Sequence, residues 1–113
     1  MTKVYGITTC GSVKKAIAFL KAHQKPYEFI DLKSVEISAA KRQEWLSKQS
    51  MSVLFNTKGT KFKTLKLDKT MRDSEKEVWL GKEQLLYKRP IIECDDGALI
   101  VGFDETLYTQ KFV

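Results

Sequence analysis

The first 32 residues carry the pattern that most restricts the fold of this chain. A β-prone run, "KVYGI" at 3–7, is followed by a helical segment and then by a second alternating run, "YEFIDL" at 27–32. Pro26 ends the helical segment, whose apolar residues recur at positions i, i+3, i+4 and i+7: Val13, Ala16, Ile17 and Leu20. The pattern predicts a β-α-β unit with its two strands parallel in one sheet.

The remainder of the chain predicts a helical middle, then a hairpin and a final helix. Ser38 is positioned to cap a helix, a turn is expected at 56–59, and short helices are expected on either side of Gly81. "RPIIEC" and "ALIVGF" read as strands joined by an Asp-Asp-Gly turn, and Asp104 is positioned to cap the last helix. This order of elements is typical of an α/β protein with a thioredoxin-like fold, β-α-β plus β-β-α. We predict a single thioredoxin-like domain over residues 1–113, with a helical insertion at roughly 36–87.

The composition favours a globular protein of the cytoplasm. Hydrophobic residues make up 42% of the chain and charged residues 30%, which is ordinary for a folded domain rather than a disordered one. No run of about 18 apolar residues is present, so no transmembrane helix and no membrane partner are expected. The N-terminus lacks the basic-then-apolar order of a signal peptide. Nothing in the sequence requires a dimer, so we expect a monomer.

The net charge of +6 is compatible with a nucleic acid, an acidic protein or a small anion as partner. The basic residues are mostly lysines, and arginine occurs only at Arg42, Arg72 and Arg89. Because arginine provides most bidentate contacts to bases and phosphates, a solvated basic surface is favoured over a dedicated nucleic-acid site.

Cys10 stands where the first strand gives way to the first helix. The unpaired N–H groups of a helix start and the helix dipole favour an anionic sulfur at such a position. Lys14 and Lys15 add positive charge within about one turn, and Gly11 leaves space beside the sulfur. The alternative is a buried, inert cysteine, since free cysteine is among the most buried residue types. We favour a reactive thiol.

Cys94 is the other cysteine, and it is expected to be a core or edge residue far from Cys10. Position 13 is valine, so the segment "CGSV" lacks the second thiol of a Cys-x-x-Cys pair. With one histidine in the chain, no zinc cluster of cysteine and histidine is expected, and no metal site is predicted. A single reactive thiol needs a second thiol from solution, which forms and resolves a mixed disulfide.

Four segments together resemble the arsenate reductase family of thioredoxin-like proteins, which also contains the Spx-type regulators. They are "YGITTCGSVKKAIAFLKAH", "NTKGTKFKTL", "KRPII" and "LIVGFDETLY", in the family's order and spacing across nearly the whole chain. The YffB-like branch is the most similar, because its middle motif differs from the "NTKGT" of this chain only by arginine in place of lysine.

The resemblance implies a thiol-dependent oxidoreductase with Cys10 as the catalytic cysteine. It implies that Arg89 binds oxyanion or thiolate beside that cysteine, and that Pro90 follows a cis peptide bond at the cleft. Gly11 and Ser12 lie beside the nucleophile, while Asn56 and Lys58 are expected to position the substrate or a thiol cosubstrate. No bound cofactor is implied. The expected cosubstrate is glutathione or another low-molecular-weight thiol, and a glutaredoxin-like protein is a further candidate partner.

The chain also departs from its relatives. Arsenate reductases carry an arginine where this chain has Asn56, another near Gly102, and a histidine where it has Gly6. The alternative function is a redox-modulated regulator of the Spx type that binds RNA polymerase. Many such regulators have a Cys-x-x-Cys switch, which this chain lacks. For the "NTKGT" segment, a polar turn with a solvated lysine face is the alternative to an anion-binding role.

Overall fold

The computed structural model describes residues 1–113 and contains one four-stranded sheet and six helices. The strands are β1 (Thr2–Gly6), β2 (Tyr27–Asp31), β3 (Ile91–Glu93) and β4 (Leu99–Val101). The helices are α1 (Gly11–Ala22), α2 (Ala39–Lys48), α3 (Met51–Leu54), α4 (Thr60–Thr64), α5 (Asp73–Lys82) and α6 (Glu105–Phe112), and a 3₁₀ turn forms at Gln84–Leu86.

The strands have the order β2-β1-β3-β4. β1 and β2 are parallel, from Thr2 opposite Tyr27 to Gly6 opposite Asp31. β3 is antiparallel to both β1 and β4, and β3 and β4 form the predicted hairpin. The β-α-β and β-β-α halves therefore share one mixed sheet, and the predicted thioredoxin-like architecture is confirmed.

The chain divides into two compact units, formed by residues 1–31 with 89–113 and by residues 32–88. The first unit contains the sheet with α1 and α6, and the second contains α2 to α5. The interpretation of the whole chain as one domain with an insertion at 36–87 stays a prediction. None of the helices combines the length and apolar composition that crossing a membrane requires.

The core of the first unit includes side chains from α1, α6 and the sheet. Val13, Ala16 and Leu20 on α1 are buried as predicted, whereas Ile17 is only partly buried against the core. Phe19 is also buried, because its ring packs edge-on against Tyr108 of α6 with 5.6 Å between ring centroids. The buried face of α1 is thus wider than the i, i+3, i+4, i+7 pattern predicted, because α6 also covers Phe19.

The predicted helix caps form as expected. The Ser38 hydroxyl accepts the Lys41 backbone N–H at 3.1 Å, and the Asp104 carboxylate accepts the Leu107 N–H at 3.1 Å. Such caps satisfy backbone donors that the first turn of a helix leaves without a partner. Local side-chain chemistry therefore sets where α2 and α6 begin.

The predicted helix break at Gly81 is wrong. α5 continues through Gly81 to Lys82, and the second predicted helix is only the 3₁₀ turn at 84–86. A Cβ atom at Gly81 would lie 3.3 Å from the Arg42 guanidinium, so this glycine allows a close side-chain approach.

Gln84, in the 3₁₀ turn, connects segments that are distant in sequence. Its side chain accepts the Ile37 N–H and donates to the carbonyls of Leu32 and Val35.

Gln24 ends α1 in a left-handed conformation, with φ of 55°. The Gln24 N–H donates to the Lys21 carbonyl and the Lys25 N–H to the Leu20 carbonyl, which is the Schellman pattern that usually has glycine at this position. Gln24→Gly removes the crowded Cβ, and we expect it to raise the free energy of unfolding by about 0.5–1 kcal/mol in urea titrations. Gln24→Ala is the control. It keeps the Cβ, so an equal gain in that variant would contradict the explanation.

Candidate functional site

Cys10 is the residue that precedes the first turn of α1. Its backbone is extended, with φ of −80° and ψ of 126°, and its side chain is partly exposed. The Cys10 N–H donates to the Ile7 carbonyl at 3.3 Å, and its own carbonyl accepts the Lys14 N–H at 3.0 Å. Cys10 is therefore held between the end of β1 and a 12-residue helix, as the sequence predicts.

The start of α1 presents backbone donors next to Cys10. The N–H groups of Gly11, Ser12 and Val13 have no acceptor within the helix, because no residue lies four positions earlier in it. Gly11 and Ser12 are exposed, and a Cβ atom added to Gly11 would meet no atom within 4 Å. The start of α1 is therefore open around Gly11, and space beside the sulfur stays a prediction.

Arg89 and Pro90 lie at the end of the sheet where β1 ends. Tyr5, near the end of β1, pairs with Ile91, the first residue of β3. The Arg89–Pro90 peptide bond is cis, as the resemblance implied, and directly precedes β3. Pro90 is fully buried and its carbonyl accepts the Gly102 N–H at 2.8 Å, while Arg89 is partly exposed. The antiparallel pairing of β3 with β1 therefore brings the Arg89–Pro90 segment beside the segment that leads to Cys10.

Asn56 and Lys58 belong to a single turn of the second unit. The Asn56 N–H donates to the Leu86 carbonyl at 2.8 Å, and the Asn56 side-chain Oδ1 accepts the Lys58 N–H at 3.0 Å. A Cβ atom at Gly59 would lie 2.6 Å from Asn56 Nδ2, so a side chain at position 59 would require this amide to shift. Asn56 shapes the predicted turn, and Lys58 is exposed on it. This role of Asn56 was not predicted from the sequence. An asparagine side chain that accepts the N–H two residues later is nevertheless a common signal of a turn.

The predicted site residues therefore form two groups. Cys10, Gly11, Ser12, Arg89 and Pro90 lie in the first unit, at the edge of the sheet where β1 ends and β3 begins. Asn56 and Lys58 lie in the second unit. Their catalytic and binding roles stay predictions.

Gly6 stands near Cys10, at a position where the resemblance to arsenate reductases implies a histidine in those enzymes. A Cβ atom at Gly6 would lie 2.6 Å from one methyl carbon of Val13 and 3.1 Å from the other. Val13 is fully buried in the first turn of α1, so its side chain has no space into which to withdraw. The last residue of β1 thus allows the helix that follows Cys10 to pack closely against the strand.

Cys94 lies at the opposite end of the sheet. It follows β3 directly, and its N–H donates to the Ala98 carbonyl at 2.9 Å. The pairing of Lys3 with Glu93 places it beside the start of β1, whereas Cys10 follows the end of that strand. Cys94 is 8% exposed, and burial raises the pKa of its thiol. The two thiols are therefore far apart, as expected, and differ in accessibility.

This difference predicts selective alkylation. At neutral pH, iodoacetamide is expected to modify Cys10 at least about tenfold faster than Cys94, because alkylation requires an accessible thiolate. Burial blocks Cys94, and its raised pKa keeps it protonated at a pH where an ordinary thiol begins to ionise. Peptide mapping of partially modified protein measures the ratio, with the urea-unfolded protein as control. Equal rates in the folded protein would contradict this assignment.

Comparisons with known proteins agree with the resemblance. The model of the ArsC family matches residues 5–110. An uncharacterized protein of Haemophilus influenzae is 31% identical over 118 residues, covering 99% of each chain. The solved structure of a YffB protein is similar with a TM-score of 0.89 and 27% identity, and the two chains cover each other completely. An arsenate reductase (ArsC) related protein from Brucella melitensis has a TM-score of 0.77 and 30% identity, over 98% of this chain and 93% of that one.

Proposed function

Because the chain belongs to the ArsC family, we propose that it is a thiol-dependent oxidoreductase of the arsenate reductase type, with Cys10 as its catalytic thiol. One observation supports this most strongly. Cys10 is partly exposed at the start of α1, beside backbone donors that no residue of the helix uses. The names of related proteins, which include an arsenate reductase (ArsC) related protein, support the same class of reaction.

The surroundings of Cys10 suit a sulfur nucleophile. An anionic sulfur at the start of α1 would be stabilised by the N–H groups of Gly11 and Ser12 and by the positive end of the helix dipole. Lys14 and Lys15 are exposed in the first turns and add positive potential. Neither lysine needs to contact the sulfur for this effect, because the potential acts over several ångströms.

The proposed cycle has two exchange steps. The Cys10 thiolate attacks the glutathione sulfur of a mixed disulfide, forming a Cys10–glutathione disulfide and releasing the other sulfur as a thiolate. A second glutathione thiolate then attacks the Cys10-bound glutathione, which yields oxidised glutathione and regenerates the Cys10 thiolate. In the balance of the two steps, one mixed disulfide and one glutathione thiolate give one released thiolate and one oxidised glutathione, and Cys10 is unchanged. Another low-molecular-weight thiol or a glutaredoxin-like protein would resolve the intermediate in the same way.

Arg89 is proposed to bind the anionic end of the substrate or the leaving thiolate. It follows the second unit directly and precedes the buried Pro90, so its backbone position is well defined. Asn56 and Lys58 are proposed to hold a carboxylate of the thiol cosubstrate. Asn56 Oδ1 is already engaged with the Lys58 N–H, so the Asn56 side chain has only its Nδ2 donor to offer.

We expect disulfides to be better substrates than arsenate. Arsenate carries two charges near neutral pH, and removing it from water requires several charge-assisted donors. Arginine is absent from position 56 and from the neighbourhood of Gly102, so Arg89 would act with Lys58 or Lys61 alone. Lys61 is in addition 3.9 Å from Glu83, which reduces its availability to a bound anion.

The intermediate provides a direct test. Incubation with oxidised glutathione should add the mass of one glutathione to the intact protein, and peptide mapping should place it on Cys10. Addition of reduced glutathione should then remove it. If the adduct does not form, or forms on Cys94 alone, the proposed mechanism is wrong. In that case capture of RNA polymerase by a Cys10→Ser variant would support the Spx-type regulator instead.

A further inference from the structure

The second unit contains an open cavity of about 620 Å³, and of its lining residues the proposed reaction uses only Lys58. Four exposed lysines line it, at positions in or next to α4: Lys58, Lys63, Lys66 and Lys69. Phe62 and Leu67 contribute apolar surface to the same cavity. A concave site with apolar walls and convergent charged groups is the usual form of a binding site.

The positive charge of this cavity is not balanced within the protein. None of its four lysines lies in an ion pair, whereas the neighbouring Lys61 is paired with Glu83. Asp68 is the acidic residue within this stretch of chain, but its carboxylate accepts both the N–H and the hydroxyl of Thr70 at 2.8 Å. These bonds hold the pKa of Asp68 below its usual value, and its side chain is committed to its own turn. Four like charges close together produce a positive potential that attracts an anion from solution or from a partner.

The apolar part of the cavity has a defined shape. Phe62 is 5% exposed and packs edge-on against Phe55, with 6.0 Å between ring centroids. Leu67 is partly buried, and its N–H donates to the Phe62 carbonyl. The Phe62 ring is therefore held in place, and it forms the apolar wall of the cavity together with Leu67.

We infer that this cavity binds an acidic peptide segment of a partner protein, with an apolar side chain against Phe62 and Leu67 and carboxylates near the four lysines. Charge complementarity and the apolar wall together favour this ligand. A nucleic acid fits less well, because single strands are bound by exposed aromatic faces and phosphates are often held by arginine. The cavity has no arginine, and its one aromatic ring is buried against Phe55.

The inference is independent of the thiol chemistry. Lys58 is the one residue that the two share, since it is also proposed to hold a carboxylate of the thiol cosubstrate. Binding should therefore be measured in a Cys10→Ser background, where loss of turnover cannot alter the result. Failure of peptide binding would leave the proposed oxidoreductase function in place.

The test measures fluorescence anisotropy of a labelled peptide of alternating aspartate and glutamate with a central leucine. We expect saturable binding that weakens as salt is raised, and a weaker signal from a peptide with serine in place of the leucine. The double variant Lys63→Glu with Lys66→Glu should weaken binding at least about tenfold. The matched control, Lys21→Glu with Lys25→Glu, makes the same charge change on exposed lysines of the first unit and should retain affinity.

Three results would overturn the inference. The first is an absence of saturable peptide binding at low salt. The second is an equal loss of affinity in both double variants, which would indicate a general effect of net charge. The third is tighter binding of a single-stranded oligonucleotide of equal charge than of the acidic peptide.

Discussion

Replacing Cys10 with serine is expected to lower the rate of glutathione-dependent disulfide reduction by at least about a thousandfold. The physical reason is that serine keeps the size and position of the side chain but provides no thiolate to attack sulfur. Because Cys10 lies at the helix start with its side chain partly exposed, the substitution disturbs no buried packing. Turnover of hydroxyethyl disulfide in the presence of glutathione provides the measurement.

Cys94→Ser is the matched control for this experiment. Cys94 lies at the far end of the sheet, so its replacement should leave the rate within about twofold, provided the folded fraction is confirmed by circular dichroism. The proposal fails if Cys10→Ser retains turnover. It also fails if Cys94→Ser is folded and loses the activity to the same extent.

Gly6→Ala is expected to lower the free energy of unfolding by about 1–3 kcal/mol. The added methyl group would lie 2.6 Å from a Val13 methyl carbon, and a fully buried β-branched residue in a helix has little freedom to rotate. Urea unfolding measures the effect. Gly11→Ala is the matched control, because a Cβ at that position meets nothing within 4 Å and should change stability by less than about 0.5 kcal/mol.

A double-mutant cycle tests whether the clash with Val13 causes the loss of stability in Gly6→Ala. Val13→Ala alone should cost about 2 kcal/mol, because it removes buried methyl groups. If the clash is the cause, the double variant Gly6→Ala with Val13→Ala will be more stable than the sum of the single effects predicts, by about 1 kcal/mol. Additive losses would mean that Gly6 is needed for another reason.

The Gly6–Val13 contact also bears on the missing histidine. The resemblance to arsenate reductases implies a histidine in those enzymes at the position of Gly6. Any side chain there starts with a Cβ atom, so Gly6→His would meet Val13 before its ring reached Cys10. Introducing the histidine would therefore also require a smaller residue at position 13. The residues allowed at positions 6 and 13 therefore depend on each other, because their side chains would occupy the same volume.

Much of the fold follows from local patterns. The 3.6-residue period of Val13, Ala16 and Leu20 predicted α1, which buries that face, and alternation along 27–32 predicted β2. Ser38 and Asp104 predicted helix starts, since a cap needs only a side chain and the next few backbone N–H groups. The position of Cys10 before α1 follows in the same way, and with it the main hypothesis about function.

Other features depended on residues distant in sequence. Phe19 is buried because Tyr108 of α6 covers it, and Gly81 lies inside α5 at a point where the Arg42 guanidinium approaches the helix closely. Arg89 and Pro90 lie near the Cys10 segment because β3 pairs antiparallel with β1, across more than 80 residues of chain. The lysine-lined cavity beside Phe62 depends on how α4 packs. By itself the sequence indicated most of the elements, the two helix caps and the position of Cys10 at a helix start, since these depend on neighbours within a few residues. Only the tertiary structure decided which helices, strands and loops contact one another, because close packing joins atoms of residues that are far apart in the sequence.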